Sequence, residues 1–155
     1  MVGAAASSVD VAGSVPRPRS FDREALELLG TVEVRWEHDG ATKTYLGVAL
    51  SRLLSECGHE AGPGGRALTP RERRPGWGKI VAAEAADGHQ AIFSASEVDP
   101  DAGPTRSYLV WLEDGQPLPA EDGPFRLVTP TDKRGFRSVR QLTTLRVVDV
   151  RGSSR

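Results

Sequence analysis

Four cations crowd one short stretch near the C-terminal end of this chain: Lys133, Arg134, Arg137 and Arg140, with Ser138 among them. Guanidinium groups carry forked donors that match the oxygens of a phosphate or carboxylate, and loop N–H groups add to the attraction. The chemistry such a loop offers is therefore anion binding. The charge is local. From Phe125 onward eight cations face two carboxylates, Asp132 and Asp149, in a chain whose net charge is −1. The stretch 84–122 is the opposite, with nine carboxylates and the single cation Arg106. A neutral protein with such asymmetry suits a cleft that receives an anion on one side. A solvated surface loop is the plain alternative, since most charge runs are solvated.

Two apolar runs frame the loop, 125–128 and 145–150, and both read as buried strands rich in β-branched residues. A turn of helix is expected at 138–142, before the last strand. Upstream, 31–36 alternates cleanly and predicts a strand with Val32, Val34 and Trp36 inward. Asp39-Gly40 signals a hairpin that returns at 42–46. Trp36 and Tyr45 could clamp a flat ligand, but as strand residues they read first as core. Leu50, Leu53, Leu54 and Cys57 recur at helical spacing, which predicts a helix over 48–57 with one apolar face, ended by Gly58. Free cysteine is usually a small buried hydrophobe, so Cys57 is assigned to the core.

The remaining elements follow the same logic. Ser20 is the expected cap of a short helix over 21–29, stopped by Gly30. Asp87-Gly88 joins strands 80–83 and 90–94, with His89 as a surface residue. Ser94 and Glu97 have the spacing of a capping box. Residues 108–113 form an apolar strand, with Trp111 in the core, that turns at Asp114-Gly115. Residues 62–78 break every periodicity and carry a second cationic stretch, Arg66, Arg71, Arg73, Arg74 and, just beyond, Lys79. A loop of that length is a solvated insertion or a lid.

These elements make one domain, 13–150, between a disordered tail at 1–12 and a short tail at 151–155. Hairpins outnumber strand–helix–strand units, so the expected class is α+β: a mixed, mostly antiparallel sheet with two or three short helices. Cys57 is the only cysteine, which excludes an intrachain disulfide. His38, His59 and His89 lack ligand spacing, so no metal ligand and no catalytic residue is assigned. A nucleophile elbow, a P-loop, a paired-histidine zinc motif and a dinucleotide fingerprint after a strand are all absent. The near-zero net charge argues against nucleic-acid or membrane partners. The first residues have neither a basic start nor a strongly apolar run, and the expected location is cytoplasmic.

Several segments together resemble the sulfite oxidase-type molybdopterin-binding domain. Leu127-Val128-Thr129-Pro130 resembles the family's strand ending in Val-x-Pro. Gly135-Phe136-Arg137-Ser138-Val139-Arg140 resembles the element that holds the cofactor's terminal phosphate. Gly47-Val48-Ala49-Leu50 with Leu53-Leu54, the Asp87-Gly88 to Glu97 hairpin, and Asp114-Gly115-Gln116-Pro117-Leu118-Pro119 followed by Gly123-Pro124 match further family segments in order. The resemblance implies a small stand-alone member, without the family's longer N-terminal part and C-terminal dimerisation domain. It implies a pterin, molybdopterin or a relative, held through Lys133, Arg134, Arg137, Ser138 and Arg140. It also implies a thiolate bound to molybdenum, placed before the Gly47 segment. No cysteine occurs at 32–43, so molybdenum itself is in doubt. The expected function is a pterin-binding domain related to molybdenum oxidoreductases, with room for a redox or regulatory protein partner. The alternative is a non-catalytic ligand-binding or protein-interaction module on the same scaffold.

Overall fold

A computed structural model describes residues 8–59, 66, 68–73 and 78–150 of the chain. In order, the elements are β1 (Ser8–Gly13), β2 (Arg19–Asp22), α1 (Arg23–Glu27), β3 (Val32–His38), β4 (Ala41–Ala49), α2 (Leu50–Glu56) and α3 (Pro70–Arg73). Then come β5 (Lys79–Ala85), β6 (Gln90–Ser94), α4 (Ala95–Val98), β7 (Tyr108–Glu113), β8 (Gln116–Pro117), β9 (Arg126–Val128) and β10 (Leu142–Asp149). Two five-stranded sheets result, one ordered β2-β1-β10-β5-β6 and the other β3-β4-β7-β8 with β9 also on β7. Among the described residues only β1 and β10 pair in parallel; the other ladders are antiparallel. The expected α+β class is what is found, with four short helices among the described residues where two or three were expected.

Residues 8–12 correct the expectation of a disordered tail. The alternation of SVDVAG buries Val9 and Val11 completely or nearly so, and the strand inserts between β2 and β10. Residues 1–7 and 151–155 lie outside the described residues, as do 60–65, 67 and 74–77, so most of the unpatterned 62–78 stretch does too. Within that stretch Pro70–Arg73 forms a helical turn.

The cap of α1 also moves. Asp22, not Ser20, is its N-cap, and its carboxylate accepts from Ala25 N at 2.8 Å. Ser20 sits on β2 opposite Asp10 and donates its hydroxyl to that carboxylate, so it is unavailable for capping. The capping box of α4 forms as expected, with Ser94 and Glu97 exchanging side-chain and backbone bonds. In α2 the apolar face is as expected: Leu50, Leu53, Leu54 and Cys57 are all buried.

The Asp39-Gly40 turn has φ of 53° and 77°, the paired left-handed conformation that tightens a two-residue hairpin. Val32, expected inward, is 42% exposed at the free edge of β3. Trp36 and Tyr45 are buried in a smaller core with Val34, Val110, Leu118 and Val128. In β7 the register with β4 slips between Leu112 and Val110, so Trp111 is the extra residue of a bulge. That turns Trp111 into the larger core alongside Leu109.

The helical turn expected at 138–142 lies earlier, as a single 3-10 turn at Gly135–Arg137. Val139 is drawn into extended pairing instead, its carbonyl accepting from Leu127 N at 2.9 Å. Leu142 N donates to Phe125 O, and β10 starts there. The basic loop is thereby tied down at both ends.

Candidate functional site

Arg137 is the most heavily bonded cation of the loop. It reaches Asp132 through Nε at 2.9 Å and Nη2 at 2.8 Å, and Glu97 through Nη1 at 2.9 Å and Nη2 at 3.0 Å. Its Nη1 also donates to the carbonyl of Ile92, and the guanidinium lies 4.4 Å from the centre of the Phe93 ring. Its pKa is raised by the Asp132 hydrogen bonds first and the Glu97 bonds next. Burial opposes the charged form of Glu97, but bonds from Arg137, Ser94 and Thr105 outweigh it and bring the carboxyl down to about 2. Ser138 is buried, and its hydroxyl accepts from Thr129 N at 3.1 Å. Thr129 in turn donates its hydroxyl to the Arg137 carbonyl. Arg137 therefore shapes the loop and has little left to give a ligand, whereas Ser138, which braces the loop through Thr129, still has its hydroxyl proton to donate.

The other cations of the loop are placed differently. Lys133 and Arg134 are exposed and have no ion pair or hydrogen bond among the described residues. Arg140 is largely exposed and places Nε 3.1 Å from Asp122 Oδ1, without the alignment of a hydrogen bond. It meets a residue outside the loop, Arg126 of β9, which approaches the same carboxylate through Nη1 at 3.7 Å. Arg126 is only 7% exposed, and its Nε is buried with no hydrogen-bond partner. Its guanidinium lies 5.2 Å from the Trp36 ring centre, and Trp36 stacks on His38 with centroids 4.5 Å apart and planes 15° from parallel.

Arg126, Arg140 and His38 stand at the junction of two contiguous clefts. One, of about 320 Å³, is also lined by Gly135, Phe136 and Ser138 and by Asp87 and His89 of the β5–β6 turn. The other, of about 290 Å³, is lined by Trp36, Lys43, Tyr45, Glu113 and Asp122. Tyr45 is kept protonated, pushed up to about 12 by burial, with the Glu113 carboxylate adding and Arg126 opposing. Gly135 has a steric reason to be glycine, since a Cβ there would lie 2.9 Å from His38 Cε1. A larger cavity of about 430 Å³ lies between α2 and α4. Three of its four arginines are paired, Arg52 with Glu56, Arg66 with Glu72, and Arg73 with Asp99 and Asp101, and the fourth, Arg17, donates to the Glu56 carbonyl.

Of the residues singled out from the sequence, Ser138 and Arg140 line these clefts, whereas Arg126, Asp122 and His38, which line them too, were not singled out. A cation inside an apolar strand was the available signal for Arg126, because a charge is buried at high cost unless something answers it. Trp36 and Tyr45 prove to be core residues that also form the wall of a cleft.

The profile of the oxidoreductase molybdopterin binding domain matches residues 5–154. The chain belongs to that family. Its fold is similar to the sulfane dehydrogenase SoxCD from Paracoccus pantotrophus, at 22% identity and a TM-score of 0.66, over 92% of this chain. The chain spans 38% of the length of that protein. No curated protein matches it.

The two ends of the cofactor this family implies meet different surroundings here. An anionic end fits the junction, where a buried Arg126 Nε is unanswered and Arg140 is exposed beside it. Cys57 is fully buried, lines neither cleft, and has its pKa raised chiefly by that burial. Among the described residues no cluster of three or more His, Cys, Asp or Glu side chains could hold a metal ion. No helix among them is long and apolar enough to cross a membrane.

Proposed function

We propose that the paired clefts bind a phosphorylated pterin, molybdopterin or a relative, with the phosphate at Arg126 and Arg140 and the ring beside Trp36 and His38. One observation carries this reading: a buried guanidinium with an unanswered Nε, at the head of an aromatic wall. A buried donor without a partner costs about 1–3 kcal/mol, and a ligand oxygen removes that cost. Lys133 and Arg134 add charge at the rim, while Arg137 and Ser138 hold the loop in shape. Bound molybdopterin supplies a dithiolene that carries molybdenum and its redox chemistry. This chain presents no accessible thiolate to complete that coordination, so we read it as a binding domain, working in the cytoplasm beside a redox or regulatory protein partner.

Calorimetric titration with hydroxymethylpterin monophosphate and with its dephosphorylated form tests this. Arg140→Ala should weaken the phosphorylated ligand by about tenfold or more, since a charge-assisted bond contributes about 1.5–3 kcal/mol. The dephosphorylated ligand should not register the change. Equal affinities of the wild type for both ligands would remove the phosphate seat. The alternative, a non-catalytic protein-interaction module, draws on Phe136, which is 77% exposed beside unpaired Lys133 and Arg134. Under that reading Phe136→Ser abolishes partner binding and neither pterin binds.

A further inference from the structure

The anion seat already contains an anion. Asp122 is 8% exposed, and its carboxylate lies between the two guanidiniums, Oδ1 at 3.1 Å from Arg140 Nε and Oδ2 at 3.7 Å from Arg126 Nη1. Neither contact is a good hydrogen bond: Asp122 Oδ1 has no hydrogen-bond partner, and neither has Arg126 Nε. Charges are thus neutralised by proximity while the directional bonds stay unmade. A carboxylate held by a structural arginine on this chain looks different. Glu97 engages Arg137 through two bonds of 2.9 and 3.0 Å, and Thr105 at 2.7 Å.

We infer that Asp122 is an internal counter-ion that occupies the Arg126–Arg140 seat in the free chain and is displaced by the ligand's phosphate. The inference rests on the pterin reading and adds its regulation. Asp122 halves the net charge of a seat made of two guanidiniums. It also leaves Arg126 Nε without an acceptor, so an oxygen with better geometry can accept from it once the carboxylate moves aside. A free anion must displace the carboxylate with nothing else to gain. A phosphorylated ring gains the aromatic wall as well, so the seat ignores free phosphate and accepts phosphate only as part of a flat heterocyclic ligand. Backbone pairing does not depend on the carboxylate, because Asp122 N donates to Pro119 O and Asp122 O accepts from Gln141 N.

The test is Asp122→Asn, with Asp122→Ser as a second variant should the first fold poorly. Quenching of tryptophan fluorescence, with Trp36 in the cleft, reads binding of inorganic phosphate, hydroxymethylpterin monophosphate and neutral hydroxymethylpterin. The wild type should not respond to millimolar inorganic phosphate, whereas the variants should bind it. The pterin monophosphate should bind the variants about tenfold tighter than the wild type. Neutral hydroxymethylpterin should bind all three proteins alike. Unchanged or weakened binding of both anions by the variants overturns the counter-ion, even where the wild type binds phosphorylated pterin. If phosphorylated pterin binds no better than inorganic phosphate, but both bind better once Asp122 is removed, the counter-ion stands and the pterin reading fails.

Discussion

At the scale of single residues, cations of one charge run do different work according to what meets them. Arg137 is bonded to two carboxylates, so its loss leaves Glu97 and Asp132 without their counter-charge. Arg137→Ala should cost about 2–4 kcal/mol in urea unfolding at neutral pH. Arg137→Lys should recover only part, because an ammonium cannot bond both carboxylates as the planar fork does. The same network sets an acid limit. Glu97 has its carboxyl lowered from the ordinary value of 4.5 to about 2. Its contribution is therefore present above about pH 4.5 and is lost as pH falls toward 2. Unfolding free energy measured at pH 6 and pH 3 should fall less in Glu97→Gln than in the wild type. Cys57 gives the contrast of a residue with packing alone. Cys57→Ala should cost about 1 kcal/mol and leave pterin affinity unchanged; a changed affinity would contradict its assignment to the core.

At the scale of elements, what was legible in the sequence was local. The Asp39-Gly40, Asp87-Gly88 and Asp114-Gly115 turns, the Ser94–Glu97 capping box and the apolar face of α2 each sit within a few residues, and all formed. Pairing across the chain was not legible. β1 looked like part of a loose tail because its partner β10 begins more than 130 residues later. Arg137 looked free because Glu97 lies 40 residues upstream in sequence. Arg126 was only one more cation in the count because its cleft forms only when β9, the β3–β4 hairpin and the basic loop converge. That convergence leaves a mark at Gly135, whose missing side chain admits the His38 ring. Gly135→Ala pushes on the tip of a side chain rather than on backbone, so His38 can shift. The variant should lose under about 1 kcal/mol of stability yet bind phosphorylated pterin several-fold more weakly. A large stability loss with normal affinity would show that the close approach serves folding alone.

At the scale of the whole molecule, the candidate site belongs to neither sheet. His38 and Arg126 come from one sheet, Asp87 and His89 from the turn of the other, and the 129–141 loop closes between them. A ligand seated there adds a second link between two layers that already share the larger core, where Val9, Val81 and Leu145 of one sheet pack with Val48, Leu109 and Leu127 of the other. Binding to the folded state alone raises stability by about 2.7 kcal/mol at a hundred times the dissociation constant. Because the ligand touches both layers, that protection should not stay in one of them. Hydrogen exchange with saturating hydroxymethylpterin monophosphate should slow amides at 38–41, at 87–89 and at 135–140 together. Amides around α2 and α4, beside the larger cavity, should keep their unliganded rates except where exchange requires global unfolding. Protection confined to one sheet, or centred on α2 and α4, would move the binding site away from the Arg126–Arg140 junction.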